Sequence, residues 1–114
     1  MEKEIHETAI ISKSAKISEG VKIGPYAVIE GEVNIGVNTI IGAHTVIKEY
    51  TTIGKNNIIH PHAVLGDLPQ DISFDRKKIT FLEIGDNNEI REFANLHRAS
   101  KDNGKTIIKN NCYI

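Results

Sequence analysis

Residues 5–65 read IHETAIISKSAKISEGVKIGPYAVIEGEVNIGVNTIIGAHTVIKEYTTIGKNNIIHPHAVL, with isoleucine or finally leucine at every sixth position. An α-helix would carry residues at this spacing around its whole surface, because it has about 3.6 residues per turn. Ordinary strands would alternate with a period of two. A strict period of six is typical of a parallel β-helix, in which each hexapeptide forms one short strand and a turn. The recurring positions are Ile5, Ile11, Ile17, Ile23, Ile29, Ile35, Ile41, Ile47, Ile53, Ile59 and Leu65.

Three hexapeptides close one triangular coil, so the period predicts coils over 5–22, 23–40 and 41–58 and a fourth that begins at Ile59. Isoleucine suits an extended backbone and stacks on its equivalent one coil away, which predicts a core made of isoleucine columns. We therefore expect an all-β protein with one β-helix domain over residues 1–114. Residues that tolerate positive φ are expected at the turns. The candidates are Gly24, Gly36, Gly42, Gly54, Asn34, Asn38, Asn56 and Asn57.

The period fails over residues 66–78 and resumes at Ile84. The hexapeptide that begins at Ile84 resembles the one that begins at Ile53. The two are 31 residues apart, which is thirteen more than the eighteen residues of a regular coil. This spacing predicts an extruded loop at about 66–78, and loops of repeat proteins often carry function. The same phasing places Leu96 over Leu65. It brings His97 and Arg98 beside the base of the loop that holds Gln70 and Asp71.

A second interruption at residues 101–104 precedes Ile108, whose hexapeptide again resembles that of Ile53, and the sequence ends at Ile114 in mid-coil. An uncovered last coil would leave strand edges unpaired, and natural sheets cover such edges. We therefore expect the domain to be truncated at its C-terminal end.

Composition excludes several classes of partner. The chain has 114 residues, is 39% hydrophobic and has a formal net charge of −1, so nothing favours nucleic acid or an anionic membrane as a partner. The N-terminus lacks the apolar run of a signal peptide, and no stretch approaches the roughly 20 apolar residues of a membrane span. Cys112 is the sole cysteine, which fits a reducing compartment. These features predict a cytoplasmic protein without integral membrane contact.

Three stretches carry a resemblance to a known family. They are residues 5–10 (IHETAI), the loop pair Gln70-Asp71, and residues 84–93 (IGDNNEIREF) leading to Leu96-His97-Arg98. Together they resemble the UDP-N-acetylglucosamine O-acyltransferases that begin lipid A synthesis, and the resemblance spans the chain. It implies a left-handed β-helix and a homotrimer. Members are about twice this length and move a 3-hydroxyacyl chain from acyl carrier protein to the 3-hydroxyl of the sugar, without metal or bound cofactor.

The resemblance also implies roles for individual residues. Gln70, Asp71, His97 and, more weakly, Arg98 correspond to family positions that contact the nucleotide sugar in a cleft between subunits. The histidine that serves the family as general base would lie beyond Ile114, so no catalytic residue is expected within the chain. Three positions depart from the family pattern, since Ala99-Ser100 replaces Gly-Thr, and Ser73 stands where lysine is common.

Two other function classes remain open from the residues. One is an inert β-helix segment that retains the coils and has no chemistry of its own. The other is a metal-dependent hydratase similar to the γ-class carbonic anhydrases, because imidazole is a common metal ligand and His60 and His62 lie close in sequence. That class needs three imidazoles that converge across a subunit interface. The residues that flank His60 and His62 do not resemble it, so no metal site is expected.

Overall fold

Strands of two to four residues follow one another along the chain and are joined by tight turns. The computed structural model describes residues 2–114. The strands of these residues are β1 (Glu4–Ile5), β2 (Ile10–Ile11), β3 (Lys16–Ile17), β4 (Lys22–Ile23), β5 (Val28–Ile29), β6 (Val33–Ile35), β7 (Ile40–Ile41), β8 (Val46–Ile47), β9 (Thr51–Ile53), β10 (Ile58–Ile59), β11 (Val64–Asp67), β12 (Phe81–Ile84), β13 (Glu89–Ile90), β14 (Asn95–His97) and β15 (Lys105–Ile108).

Every third strand joins the same sheet, so the chain winds around a three-sided prism. Face A has the order β1-β4-β7-β10-β13, face B has β2-β5-β8-β11-β14, and face C has β3-β6-β9-β12-β15. All pairings are parallel, and residues eighteen apart are in register in the first coils, as Ile5 is with Ile23. The parallel β-helix and its coil length are therefore confirmed.

The recurring aliphatic residues point into the prism, as the period predicts. In the central coils they are at most 3% exposed, and they form one continuous core. Ile5 is 43% exposed because only one neighbouring coil covers it. The interior is thus three columns of aliphatic side chains, one behind each face. The members buried most completely are Ile29, Ile35, Ile41, Ile47, Ile53, Ile59, Leu65 and Ile90.

The turn glycines have a different role from the one predicted. Asn38 and Asn56 have positive φ, but Asn34 lies in β6 and Asn57 is a buried corner residue with ordinary φ. The four candidate glycines also have ordinary φ, so that part of the prediction is wrong. A Cβ on Gly36 would lie 2.5 Å from the carbonyl carbon of Gly54, which shows that close approach between coils is what requires glycine. Other residues have positive φ instead, among them Tyr26, His44, Tyr50, His62 and Phe93.

Buried polar side chains at one corner satisfy the backbone of the next coil. The Thr39 hydroxyl donates to the Gly54 carbonyl at 2.8 Å. One coil further, Asn57 Nδ2 donates to the Gly85 carbonyl at 2.8 Å, and Asn57 Oδ1 accepts from the Asn88 amide at 2.9 Å. The Asn88 amide is buried and the Gly85 carbonyl is partly buried, so the Asn57 side chain joins two coils at this corner of the prism.

Replacing Asn57 by alanine should lower the free energy of unfolding by about 2–4 kcal/mol, since a partly buried carbonyl and a buried amide both lose their partner. Urea denaturation measures the change. Asn34→Ala is the matched control because Asn34 is exposed on β6, and its unfolding free energy should stay within about 0.5 kcal/mol of the parent. Equal losses in the two variants would contradict the corner role of Asn57.

The extruded loop leaves the prism between faces B and C. It spans the thirteen residues 68–80, because β11 continues through Gly66 and Asp67 before the chain departs. The pairing of Ile53 with Ile84 and of Leu65 with Leu96 confirms the predicted phasing on both sides of the loop. A second excursion over residues 98–104 leaves the same corner one coil later. Two neighbouring insertions therefore stand side by side on one edge of the prism.

Candidate functional site

His97 and Arg98 lie at the base of the extruded loop. His97 is in register with Asp67 at the end of β11, after a shift in register that follows Leu65. The Arg98 amide donates to the Asp67 carbonyl at 2.9 Å, which fixes the Arg98 backbone against the last residue of β11, at the base of the loop. The structure therefore shows the predicted juxtaposition of these two residues with the loop base.

An aromatic pair holds the Arg98 side chain in place. The guanidinium carbon of Arg98 lies 5.6 Å from the centre of the Tyr50 ring, and the Phe81 ring meets Tyr50 edge-on at 5.7 Å. Such cation–π contacts favour arginine on a tyrosine face. The buried Nε of Arg98 has no hydrogen-bond partner among residues 2–114. Sequence reasoning missed Tyr50 and Phe81, and the available signal was one aromatic residue in the turn before β9 and another directly after the loop.

A pocket of about 580 Å³ opens between the loop base and the second excursion. Basic side chains dominate its charge, and the only ion pair found for these side chains within residues 2–114 joins Lys105 to Glu83, at 3.0 Å. The pocket is therefore suited to a polar, negatively charged group. Its lining residues are Pro69, His97, Arg98, Ala99, Ser100, Lys101, Gly104, Lys105 and Thr106.

Gln70 and Asp71 lie away from that pocket, in the exposed part of the loop. Asp71 Oδ1 accepts from the Ser73 hydroxyl at 2.7 Å and from the Ser73 amide at 2.9 Å. These two bonds, with a smaller contribution from the charge of Lys78, lower the pKa of Asp71 below its usual value of 3.8. Asp71 is thus an exposed carboxylate at neutral pH. Within one chain the structure groups His97 with Arg98 and leaves Gln70 and Asp71 facing solvent.

The two histidines considered for a metal make separate contacts. His60 Nε2 lies 2.7 Å from Glu89 Oε2. The His62 ring instead stacks between His44, at 5.0 Å, and Phe93, at 5.5 Å. In the part of the chain that the structure describes, no three histidine, cysteine or acidic side chains converge as a metal site would need.

Known proteins match this chain along almost its whole length. Residues 14–49 match the bacterial transferase hexapeptide family (six repeats). The acyl-[acyl-carrier-protein]--UDP-N-acetylglucosamine O-acyltransferase of Sulfurihydrogenibium sp. (strain YO3AOP1) is 51% identical over 97% of the chain and 41% of its own length. That of Thermodesulfovibrio yellowstonii is 44% identical over 97% of the chain and 43% of its own length. The chain resembles the N-terminal part of these O-acyltransferases.

Solved structures of this O-acyltransferase family share the fold. The UDP-N-acetylglucosamine acyltransferase of Francisella novicida superimposes with a TM-score of 0.93 and 41% identity, over 96% of the chain and 40% of the Francisella protein. With the hexapeptide match, this makes the fold a left-handed parallel β-helix, which confirms the handedness that the resemblance implied. The chain spans about two fifths of the length of the O-acyltransferases that it matches. The matched segment includes the extruded loop, β14 and the pocket between them.

Proposed function

We propose that these residues form the N-terminal part of an acyltransferase that moves a 3-hydroxyacyl chain from acyl carrier protein to the 3-hydroxyl of UDP-N-acetylglucosamine. This reaction is the first step of lipid A biosynthesis, and we place it in the cytoplasm. One observation carries the proposal. The 51% identity to an O-acyltransferase named for these substrates extends over 97% of the chain, including both insertions at the candidate site. Among residues 2–114, no helix is long and apolar enough to span a membrane.

The site residues divide into two groups with different tasks. His97 and Arg98 line the basic pocket, where they bind and orient the nucleotide sugar. Gln70 and Asp71 present an amide and a carboxylate at the exposed part of the loop, where they accept hydrogen bonds from substrate hydroxyls. The general base is a histidine beyond Ile114, and neither a metal nor a bound cofactor takes part. Asp71 is suited to its task because it is exposed and the Ser73 bonds lower its pKa further.

The separation of the two groups within one chain supports a site shared between copies in a homotrimer. An outward column on face B offers a contact surface, since the first four of its five members are apolar and only the fifth, Asn95, is polar. The equivalent column of face A begins with Glu4 and Lys22 before Ile40 and Ile58, and that of face C begins with Lys16, Asn34 and Thr52. In the trimer, the loop of one copy would reach the pocket of its neighbour. The apolar column consists of Ile10, Val28, Val46 and Val64.

Light scattering should give three times the mass of the chain at tens of micromolar. Val46→Asp should dissociate the trimer, because it places a charge in the middle of the apolar column, while circular dichroism stays unchanged. Asn34→Asp also places a charge at an outward position, on face C one coil earlier, and should leave the trimer intact. A parent chain that is monomeric under these conditions would overturn the shared site.

A chimera tests the reaction itself. These residues are joined, in register, to the remaining coils of the Sulfurihydrogenibium relative, and transfer of a 3-hydroxyacyl group from acyl carrier protein to UDP-N-acetylglucosamine is followed by mass spectrometry. We expect turnover by the chimera and none by residues 1–114 alone. A folded trimeric chimera without turnover would favour the inert segment. Turnover by residues 1–114 alone would place the base within them and refute its assignment beyond Ile114.

A further inference from the structure

The basic pocket has more positive charge than its surroundings neutralise. His97, Arg98, Lys101 and Lys105 all line it. Lys105 is paired with Glu83, but among residues 2–114 no carboxylate lies within ion-pair distance of Arg98 or Lys101. No acidic side chain is among the lining residues. Two unpaired cations that face one pocket repel each other, and an anion bound between them would relieve that repulsion.

The Arg98 side chain is held in position but has no hydrogen-bond partner among residues 2–114. Its guanidinium rests on the Tyr50 ring, its backbone is tied to Asp67, and its side chain makes no hydrogen bond to any residue from 2 to 114. A buried Nε–H without a partner is costly and is rarely left so in a native protein. The planar guanidinium matches the geometry of phosphate oxygens, and a lysine ammonium supplements it as a point charge.

We propose that this pocket binds a phosphate ester, with Arg98 and Lys101 as its principal ligands. The assignment extends the proposed function, and it rests on that function for the identity of the molecule that carries the phosphate. Two reactants in that reaction have phosphate chemistry, since the nucleotide sugar carries a diphosphate and the acyl donor is linked through a phosphopantetheine arm. Thr106 and the turn at Gly104 complete the lining with small or polar groups, which leaves room for phosphate oxygens between the two insertions.

Calorimetric titration of the 114-residue protein with pyrophosphate at low ionic strength tests the pocket. We expect saturable binding that weakens as salt is added. Arg98→Gln and Lys101→Gln should each raise the dissociation constant about tenfold, because each removes a charge-assisted hydrogen bond. Lys13→Gln is the control, since Lys13 is exposed in the first coil and outside the pocket, and its affinity should equal that of the parent.

The variants separate a ligand role from a structural one. Arg98→Gln could disturb the loop base, but Lys101 is exposed, so loss of affinity in Lys101→Gln with unchanged thermal stability supports the assignment. Unchanged affinity in both variants overturns it, as does a parent protein that does not bind pyrophosphate. Competition by UDP identifies the nucleotide sugar as the source of the phosphate, and competition by phosphopantetheine identifies the acyl donor.

The measurements distinguish a wrong phosphate assignment from a wrong proposed function. Pyrophosphate binding that depends on Lys101, together with an inactive chimera, retains the phosphate assignment and rejects the proposed function. An active chimera whose KM values for both substrates are unaffected by Lys101→Gln, with no pyrophosphate binding, retains the function and rejects the assignment.

Discussion

Ile35→Asp should abolish the folded state at pH 7. Ile35 is 1% exposed on β6, and its neighbours along face C are the inward residues Ile17 and Ile53. A carboxylate there would have no partner inside a column one side chain wide, and burying it costs several kcal/mol. A domain of this size has about 5–15 kcal/mol of stability in total. We therefore expect loss of the circular-dichroism strand signal and of any cooperative thermal transition.

Asn34→Asp is the matched control on the same strand. Asn34 is the residue directly before Ile35 but points outward, and it lies beside Lys16 in the register of face C. Its melting temperature should change by no more than a few degrees, since exposed substitutions usually alter stability by less than about 0.5 kcal/mol. Comparable damage at positions 34 and 35 would contradict the assignment of inward and outward sides.

The effect of burial also sets the pH dependence of the Ile35→Asp variant. A buried carboxyl has a folded-state pKa above its unfolded value, because burial disfavours the charged form. Stability is then lost as the pH rises through the range between the unfolded and folded pKa values, and it is regained as the pH falls. Partial refolding of the variant near pH 4 would support burial of the introduced carboxyl.

The coil register could be predicted because a single period governs it. Each isoleucine must face the interior, and a slip of one residue would turn every aliphatic side chain outward. The resumption of the period at Ile84 therefore fixed the length of the insertion and the pairing of Leu96 with Leu65. The turns were harder, since several residue types tolerate positive φ. What glycine does at position 36 depends on the backbone of the next coil, which no local pattern shows.

Within the candidate site, the sequence could predict the positions only of residues whose place follows from the strand register. His97 follows directly from the pairing of β11 with β14, and Arg98 follows from His97. The contact of Arg98 with Tyr50 crosses from the fifth coil to the third, and it depends on a tyrosine in a left-handed turn. Inside the loop no period applies, so the bonds from Ser73 that hold Asp71 could not be read from the spacing.

Asp71→Ala in the active chimera should lower kcat/KM for the nucleotide sugar by about tenfold to a hundredfold. The proposal assigns this carboxylate a hydrogen bond from a substrate hydroxyl, and a hydrogen bond to a charged group contributes about 1.5–3 kcal/mol. An exposed carboxylate is ionised throughout the neutral range, and the Ser73 bonds lower the pKa of Asp71 further. Steady-state assays at pH 7 measure the loss.

Asp75→Ala supplies the control within the same loop. Asp75 is also exposed, and its Oδ1 accepts from the Lys77 amide at 2.9 Å, just as Asp71 Oδ1 accepts from the Ser73 amide. Both substitutions remove one carboxylate and its bond to a turn amide, and Asp71→Ala also removes the bond from the Ser73 hydroxyl. Only Asp71 belongs to the pair matched to the family. We expect Asp75→Ala to retain the parent kcat/KM. Equal losses would show that loop conformation governs the rate, and the substrate role of Asp71 would be refuted.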